Sequence, residues 1–389
     1  MGHLEASPPD GALIFGGGKA VRTSRKNNAV IAQRFRLRRA ATQTLPVSSS
    51  ERCPSLRSAL VPFWHKGSLP EQTMGWVPQV LRILSKQLKW SAICSFLLVV
   101  PAYGQSDLNL KGAIDFHVHS SPDSQPRSVD ADDLARIARE NGMRGLVLKN
   151  HHESTAALAY MVRKQVPGIE IFGGITMDLS NGGINLEAVK QMTMMKGGWG
   201  RVIWLPTEDA ENDWKQREAK GPFVPVSKDG HLLANVLELI DFIAQHHELV
   251  FETGHISAEE ILLAVHEAHQ RGVTHIVVTH AMYYLENMTI PQMQQAAREG
   301  AYLEFDADGP FIGPPPRHSL GEYAEAIREV GPASCILATN FGAVRDPPVP
   351  LHPQGLLDFM QALHKEGISV ADINLMAKTN PALALGLKP

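Results

Sequence analysis

Cysteine is almost absent: the 389 residues hold three, Cys53, Cys94 and Cys335, and only Cys335 falls after residue 104. A lone thiol forms no internal disulfide, so that part of the chain must be held by its core. The same scarcity suits an oxidising compartment, where spare thiols are a liability. Long hydrophobic runs are missing as well. The apolar stretch 92–100 is nine residues long, too short to cross a bilayer core of ~30 Å, so no stable membrane span is expected. Basic charge is scarce in the larger part of the chain. The 285 residues after Gly104 carry 23 Lys and Arg against 36 Asp and Glu, whereas residues 1–104 carry 14 against 4. An asymmetry of this size marks a tail joined to a domain. The acidic part is a poor partner for nucleic acid.

What is present in the first hundred residues has two portions. Residues 1–73 are rich in Arg, Ser, Pro and Gly without a sustained hydrophobic period, and read as disordered or as an extension upstream of the true start. From Met74 the chain shows a basic leader with Arg82, Lys86 and Lys89, then the apolar run 92–100, then Ala102-Tyr103-Gly104. That three-part layout is a secretory signal peptide cleaved after Gly104, implying a periplasmic or secreted protein. An uncleaved amphipathic anchor is the alternative.

After Gly104, eight short apolar runs alternate with helical patterns: 113–117, 145–149, 170–176, 201–206, 248–253, 275–279, 301–305 and 335–339. Runs such as Leu146-Val147-Leu148 and Ile276-Val277-Val278 are apolar on both faces, as strands of a covered parallel sheet must be. Ser257-x-x-Glu260 and Ser319-x-x-Glu322 are capping boxes that open helices, and Gly272 and Gly300 close them. Eight strand–helix alternations predict an α/β fold, either a doubly wound sheet or a closed (β/α)₈ TIM-like barrel with C-terminal helices. Histidines at the ends of strands far apart in sequence favour the barrel, because only closure gathers such ends at one mouth. The polar stretch 208–225 reads as a loop overhanging that mouth.

The strongest chemical signal is Asp115-Phe116-His117-Val118-His119. Residues two apart on a strand share a face, so His117 and His119 form a ready pair of ligands for a divalent transition metal. His280 ends the sixth run, and His255 follows the fifth in Glu252-Thr253-Gly254-His255. A single strand-end histidine is usually a satisfied hydrogen bonder, but two beside a His-x-His strand point to a metal. Asn150-His151-His152 follows the second strand, adding His151 as a fifth candidate. His246, His247, His266 and His269 fall near or on helices and read as surface.

Together with Asn380-Pro-Ala-Leu-Ala-Leu-Gly-Leu387, these features resemble the amidohydrolase superfamily over nearly all of residues 107–389. The segment 115–152 also resembles the polymerase-and-histidinol-phosphatase group. The resemblance implies a divalent metal, zinc first with manganese or iron as alternatives, held by His117, His119, His255 and His280 and activating a water. It also implies an Asp at the end of the eighth strand, where this chain has Asn340. An amide cannot act as a base. Glu304 and Asp306, two apart on the seventh strand, are then candidate catalytic carboxylates, with Glu252 a third that strict alternation turns away from His255. Lys149, ending the second strand, reads as a carbamylated metal bridge, a clamp for an anionic substrate or a solvated lysine. The clamp is preferred because bridging lysines in the family usually stand on the fourth strand.

The expected activity is a metal-dependent hydrolase acting on a C–N or ester bond of a small molecule, with a phosphoesterase as one alternative. A barrel that kept its metal and lost its base at Asn340 is another. Assembly into a homo-oligomer is left open. Mass spectrometry of the exported protein is expected to find a mature end near Gln105; intact Met1 recovered from the cytoplasm would show that the leader is not processed.

Overall fold

A computed structural model describes residues 108–313, 318–345 and 348–389. The expected extension 1–73 and leader 74–104 lie outside the described residues. No helix among the described residues is long and apolar enough to cross a membrane.

Eight parallel strands form one sheet in sequence order: β1 Ile114–Val118, β2 Gly145–Leu148, β3 Glu170–Thr176, β4 Gly200–Trp204, β5 Val250–Glu252, β6 Ile276–Val278, β7 Ala301–Asp306 and β8 Cys335–Ala338. Backbone bonds from His119 N to Phe341 O and from Asn340 N to His117 O, both 2.9 Å, tie the last strand to the first and close the barrel. Between strands run α1 Ala131–Glu140, α2 Ala156–Gln165, α3 Leu186–Thr193, α4 Glu211–Gln216, α5 Ala234–Ala244, α6 Ala258–Gln270 and α7 Ile290–Arg298. After β7 come α8 Asp308–Ile312 and α9 Leu320–Val330, and after β8 the helices α10 His352–Lys365, α11 Val370–Asn374 and α12 Asn380–Ala384. Both predicted capping boxes form at Ser257 and Ser319.

Two-faced burial explains the apolar strands. Ile114, Phe116, Val147, Phe172, Val202, Trp204, Val250, Val277, Ile336 and Ala338 fill the barrel interior. Their sequence neighbours, including Leu146, Leu148, Ile203, Phe251, Ile276, Val278 and Leu337, pack outward against the helices. The stretch 208–225 is not all loop. It carries α4, where Arg217 pairs with the buried Asp213 one turn earlier, an arrangement that supports a short helix. A two-strand ribbon of Ser227–Lys228 with His231–Leu232 follows, unanticipated because each strand is only two residues long.

The C-terminal phrase closes the barrel floor. Ala382, Ala384 and Leu385 join the interior cluster, and Arg201 Nη1 donates to Leu385 O at 3.0 Å. Buried Asn380 donates through Nδ2 to Pro332 O at 2.8 Å and Cys335 O at 2.7 Å, holding that plug under β8. Asn380→Ala strands two carbonyls and is expected to cost about 1–3 kcal/mol. Urea unfolding should show a lower midpoint with an unchanged slope; an unchanged midpoint would mean the plug holds itself.

Candidate functional site

The polar ends of the strands gather at one mouth, and the backbone departs from regular alternation to aim them. In β1, Ile114 and Phe116 face the interior while Val118 joins the outer core. The switch coincides with a register irregularity against β2 between Asp115 and Val118. His117 and His119 therefore reach one centre by way of a bulge rather than by simple alternation. His255 follows Gly254, whose φ of +64° brings its Cα so near the β4 end that a Cβ would sit 2.3 Å from Leu205 O. His280 and Asn340 themselves take left-handed φ values of 51° and 55°. Such values are uncommon for residues other than glycine and tend to mark functional positions.

The result is a closed ring of five imidazoles. Successive ring centroids lie 5.2 Å (His117–His119), 5.1 Å (His119–His151), 5.7 Å (His151–His255), 5.4 Å (His255–His280) and 4.5 Å (His280–His117) apart. Four of the five are anchored through one nitrogen. The Nδ1–H of His117 donates to Glu304 Oε1 at 2.9 Å, and that of His255 to Asp213 Oδ2 at 2.9 Å. His151 Nδ1–H donates to Thr207 Oγ1 at 2.8 Å, and the Thr207 hydroxyl in turn donates to Asp178. His119 Nε2–H donates to Asn340 Oδ1 at 3.0 Å. The opposite nitrogens of His117, His119 and His255 are buried without a hydrogen-bond partner, and so is Nδ1 of His280. Burial, the largest cause, holds His117, His119 and His151 well below the usual histidine value and His255 down to about 3. All are neutral at pH 7, the state in which imidazole offers a lone pair.

Beneath the ring lies a set of buried charges. Glu252 and Glu304 continue the inward face begun by Val250 and Tyr302, so Glu252 belongs to the site floor, and the turn at Gly254 brings His255 to the same mouth. Lys149 is fully buried with no partner for Nζ, and burial lowers its pKa. Burial raises Glu252 to about 7 and lifts Glu304 and Glu286 well above the usual carboxylate range. Glu304 Oε2, Asp306 Oδ2 and both oxygens of Glu286 lack partners. Ligand atoms of His117, His280 and Glu304 all lie within 4.8 Å of one another, a spacing that one cation spans. The unpartnered lone pairs, the neutral rings and the excess of buried carboxylates over cations fit a divalent ion.

Above the ring opens a cavity of about 200 Å³, walled by His119, His151, His255, His280 and Asn340 and by residues the sequence did not single out. These include Arg127, Asp308, Tyr283 and, from the overhanging segment, Glu208, Asp213 and Arg217. Asp308 accepts from Tyr283 Oη at 3.0 Å and from Arg345 Nη2 at 3.1 Å, and burial raises its pKa to about 6. Its place two residues past Asp306 was the available signal; nothing in the sequence marked Arg127. Away from the mouth, His246 bonds to Phe242 O, and His266 faces Glu299 with half its side chain exposed.

Residues 112–304 match the family described as "Family of unknown function (DUF6282)". No curated protein matches the chain. Among solved structures, it is similar to an organophosphorus hydrolase from Deinococcus radiodurans at 14% identity and a TM-score of 0.49, covering 71% of this chain and 92% of that one. A putative 2-pyrone-4,6-dicarboxylic acid hydrolase from Pseudomonas putida gives 14% and 0.49, covering 72% and 98%. A zinc-bound amidohydrolase from Burkholderia multivorans gives 11% and 0.48, covering 71% and 99%.

Proposed function

We propose that the chain is a metal-dependent hydrolase that cleaves a C–N or ester bond of a small molecule at the histidine ring. One observation carries this reading: His117, His119 and His255 each commit one ring nitrogen to an oriented acceptor and keep the other buried and free. Metal-bound histidines are oriented in this way, the outer hydrogen bond fixing tautomer and ring angle. Neutral imidazoles with carboxylates at hand suit zinc first, then manganese or iron. The donor set is His117, His119, His255 and His280, with His151 completing the ring. A divalent cation held by these residues would supply Lewis acidity toward a carbonyl and toward a water near neutral pH.

The protein's own groups have separable tasks. Glu304 orients His117, and Asp306 Oδ2 lies 3.4 Å from His280 Nδ1. Lys149 offsets the charge of Glu252 and Glu304 beneath the site. Asn340 accepts from His119 and fixes its tautomer, but its amide cannot take a proton. We assign that task to Asp308, one of three carboxylates on the cavity wall, whose pKa burial raises to about 6. Tyr283 and Arg345 hold it in place. The amide at Asn340 also supports a second reading, a barrel that binds metal and ligand without turnover; a panel of amides, lactones and phosphate esters separates the two and tests the phosphoesterase alternative.

His117→Ala and His119→Ala are each expected to abolish stoichiometric metal, read by metal analysis of the purified protein; full metal in either variant would remove that residue from the donor set. Asp308→Asn should keep its metal yet lose about 10²–10⁴-fold in kcat, the contribution of a positioned base. Because the base works deprotonated, wild-type activity should fall as pH drops through about 6, and this limb should vanish in the variant. Wild-type rates in Asp308→Asn would assign the proton to another group.

A further inference from the structure

Arg127 sits on the segment that leaves β1, and that segment is fastened to the end of β8. Ser128 N donates to Gly342 O and Ser121 N to Val129 O, both at 2.9 Å, and Arg127 forms an antiparallel bridge with Ala343. The fastening carries the guanidinium to the cavity wall beside His119 and Asn340. Its side chain is 4% exposed and that of its partner Asp123 is fully buried, with Nε donating to Asp123 Oδ2 at 2.5 Å. The other Asp123 oxygen is occupied by Ser124 Oγ and Gln125 N, so the pair is made through one edge only. Nη2 is left buried with no hydrogen-bond partner.

An unmet donor on a buried, charged guanidinium costs more than most unmet groups, and one that persists on a cavity wall calls for an acceptor brought by a ligand. The other arginines of the cavity are committed: Arg217 grips Asp213 through two nitrogens, and Arg345 reaches Asp308. Three arginines of the wall meet three lining carboxylates, Glu208, Asp213 and Asp308, and a fourth carboxylate, Asp123, stands behind Arg127. A wall with no surplus of positive charge tolerates one added negative charge better than two, which favours a carboxylate over a phosphate dianion. We propose that the substrate carries a carboxylate and that the Arg127 guanidinium, held by Asp123 through one edge only, receives it, placing the bond to be cleaved over the histidine ring. Arg127 is thus a specificity-determining residue, and the segment after β1 a substrate-recognition element.

This rests on the cavity being the substrate site, and a binding measurement keeps its fate separate from that of the hydrolase reading. Acetate, benzoate and succinate, with benzamide as the neutral control and inorganic phosphate as the dianion, are titrated calorimetrically into the full chain. The titration is run on chelator-treated protein, where no cation competes for the anion, and again on zinc-loaded protein. At least one carboxylate should bind both forms, with benzamide at least about tenfold weaker than benzoate. Arg127→Met should weaken carboxylate binding by about 10- to 100-fold, the worth of a charge-assisted hydrogen bond. Arg127→Lys should fall between, because an ammonium keeps the charge without the planar fork. If Arg127→Met fails to fold with Asp123 left unpaired, Asp123→Asn/Arg127→Met removes both charges together and is read in the same way. Equal carboxylate binding by wild type and the Arg127 variants, no binding by wild type, or phosphate held more tightly than every carboxylate would each overturn the proposal. A chain that binds carboxylates through Arg127 but takes up no metal would sink the hydrolase reading and leave this one standing.

Discussion

Desolvation governs this molecule. A carboxylate or imidazole moved from water into a barrel mouth loses hydration that protein dipoles only partly replace. Here the loss falls on many groups at once: five histidines, Lys149, Glu252, Glu286, Glu304 and Asp306 are all buried within one region. The apolar interior below them, from Ile114 to Trp204, supplies the hydrophobic burial that tolerates such a concentration of polar atoms. Desolvation also sets the protonation states. It keeps the rings neutral and pushes Glu304 and Glu286 toward their protonated forms, so a cation entering the site would reverse the balance for the carboxylates while finding the imidazoles already prepared.

Backbone irregularity supplies the aim. A regular parallel strand offers every second side chain to the interior, which would leave either Phe116 or His117 facing inward but not both. The bulge in β1 resolves that conflict. Gly342 takes a φ of +122° against the end of the same strand, where a Cβ would meet His119 O at 2.1 Å. Asn340 and His280 take left-handed values at the ends of β8 and β6, on either side of β7. These departures cluster at the mouth, in keeping with strain that persists where surrounding structure over-determines it. The rest of the barrel follows ordinary rules of strand alternation and helix capping.

The architecture was legible because its signals are local. Each apolar run lies within two residues of an observed strand, and Ser257 and Ser319 open helices where hydroxyl and carboxylate stand three apart. His117, His119, His151, His255 and His280 were recognisable because every one ends or follows a strand, and strand ends meet in a closed barrel. Helix α4 escaped notice because six residues hold too little period to read. Asp308 and Arg127 escaped because their roles depend on what they face: Asp308 on Tyr283 and Arg345, Arg127 on a buried Asp123 and the end of β8.

The amino-acid order by itself determined the number and sequence of strands, the polar identity of their ends and the replacement of an expected carboxylate by Asn340. All of these follow from hydrophobic period and residue chemistry over spans of a few positions. Tertiary structure alone decided which nitrogen of His117, His119 and His255 is spent and which is free, that Glu252 lies under the ring, and that one of the cavity's three arginines keeps an unpaired edge. Hydrogen bonds between residues more than forty positions apart, such as His255 with Asp213 or His117 with Glu304, leave no periodic trace in a linear chain. They exist only once the fold has brought the strand ends and helix α4 together.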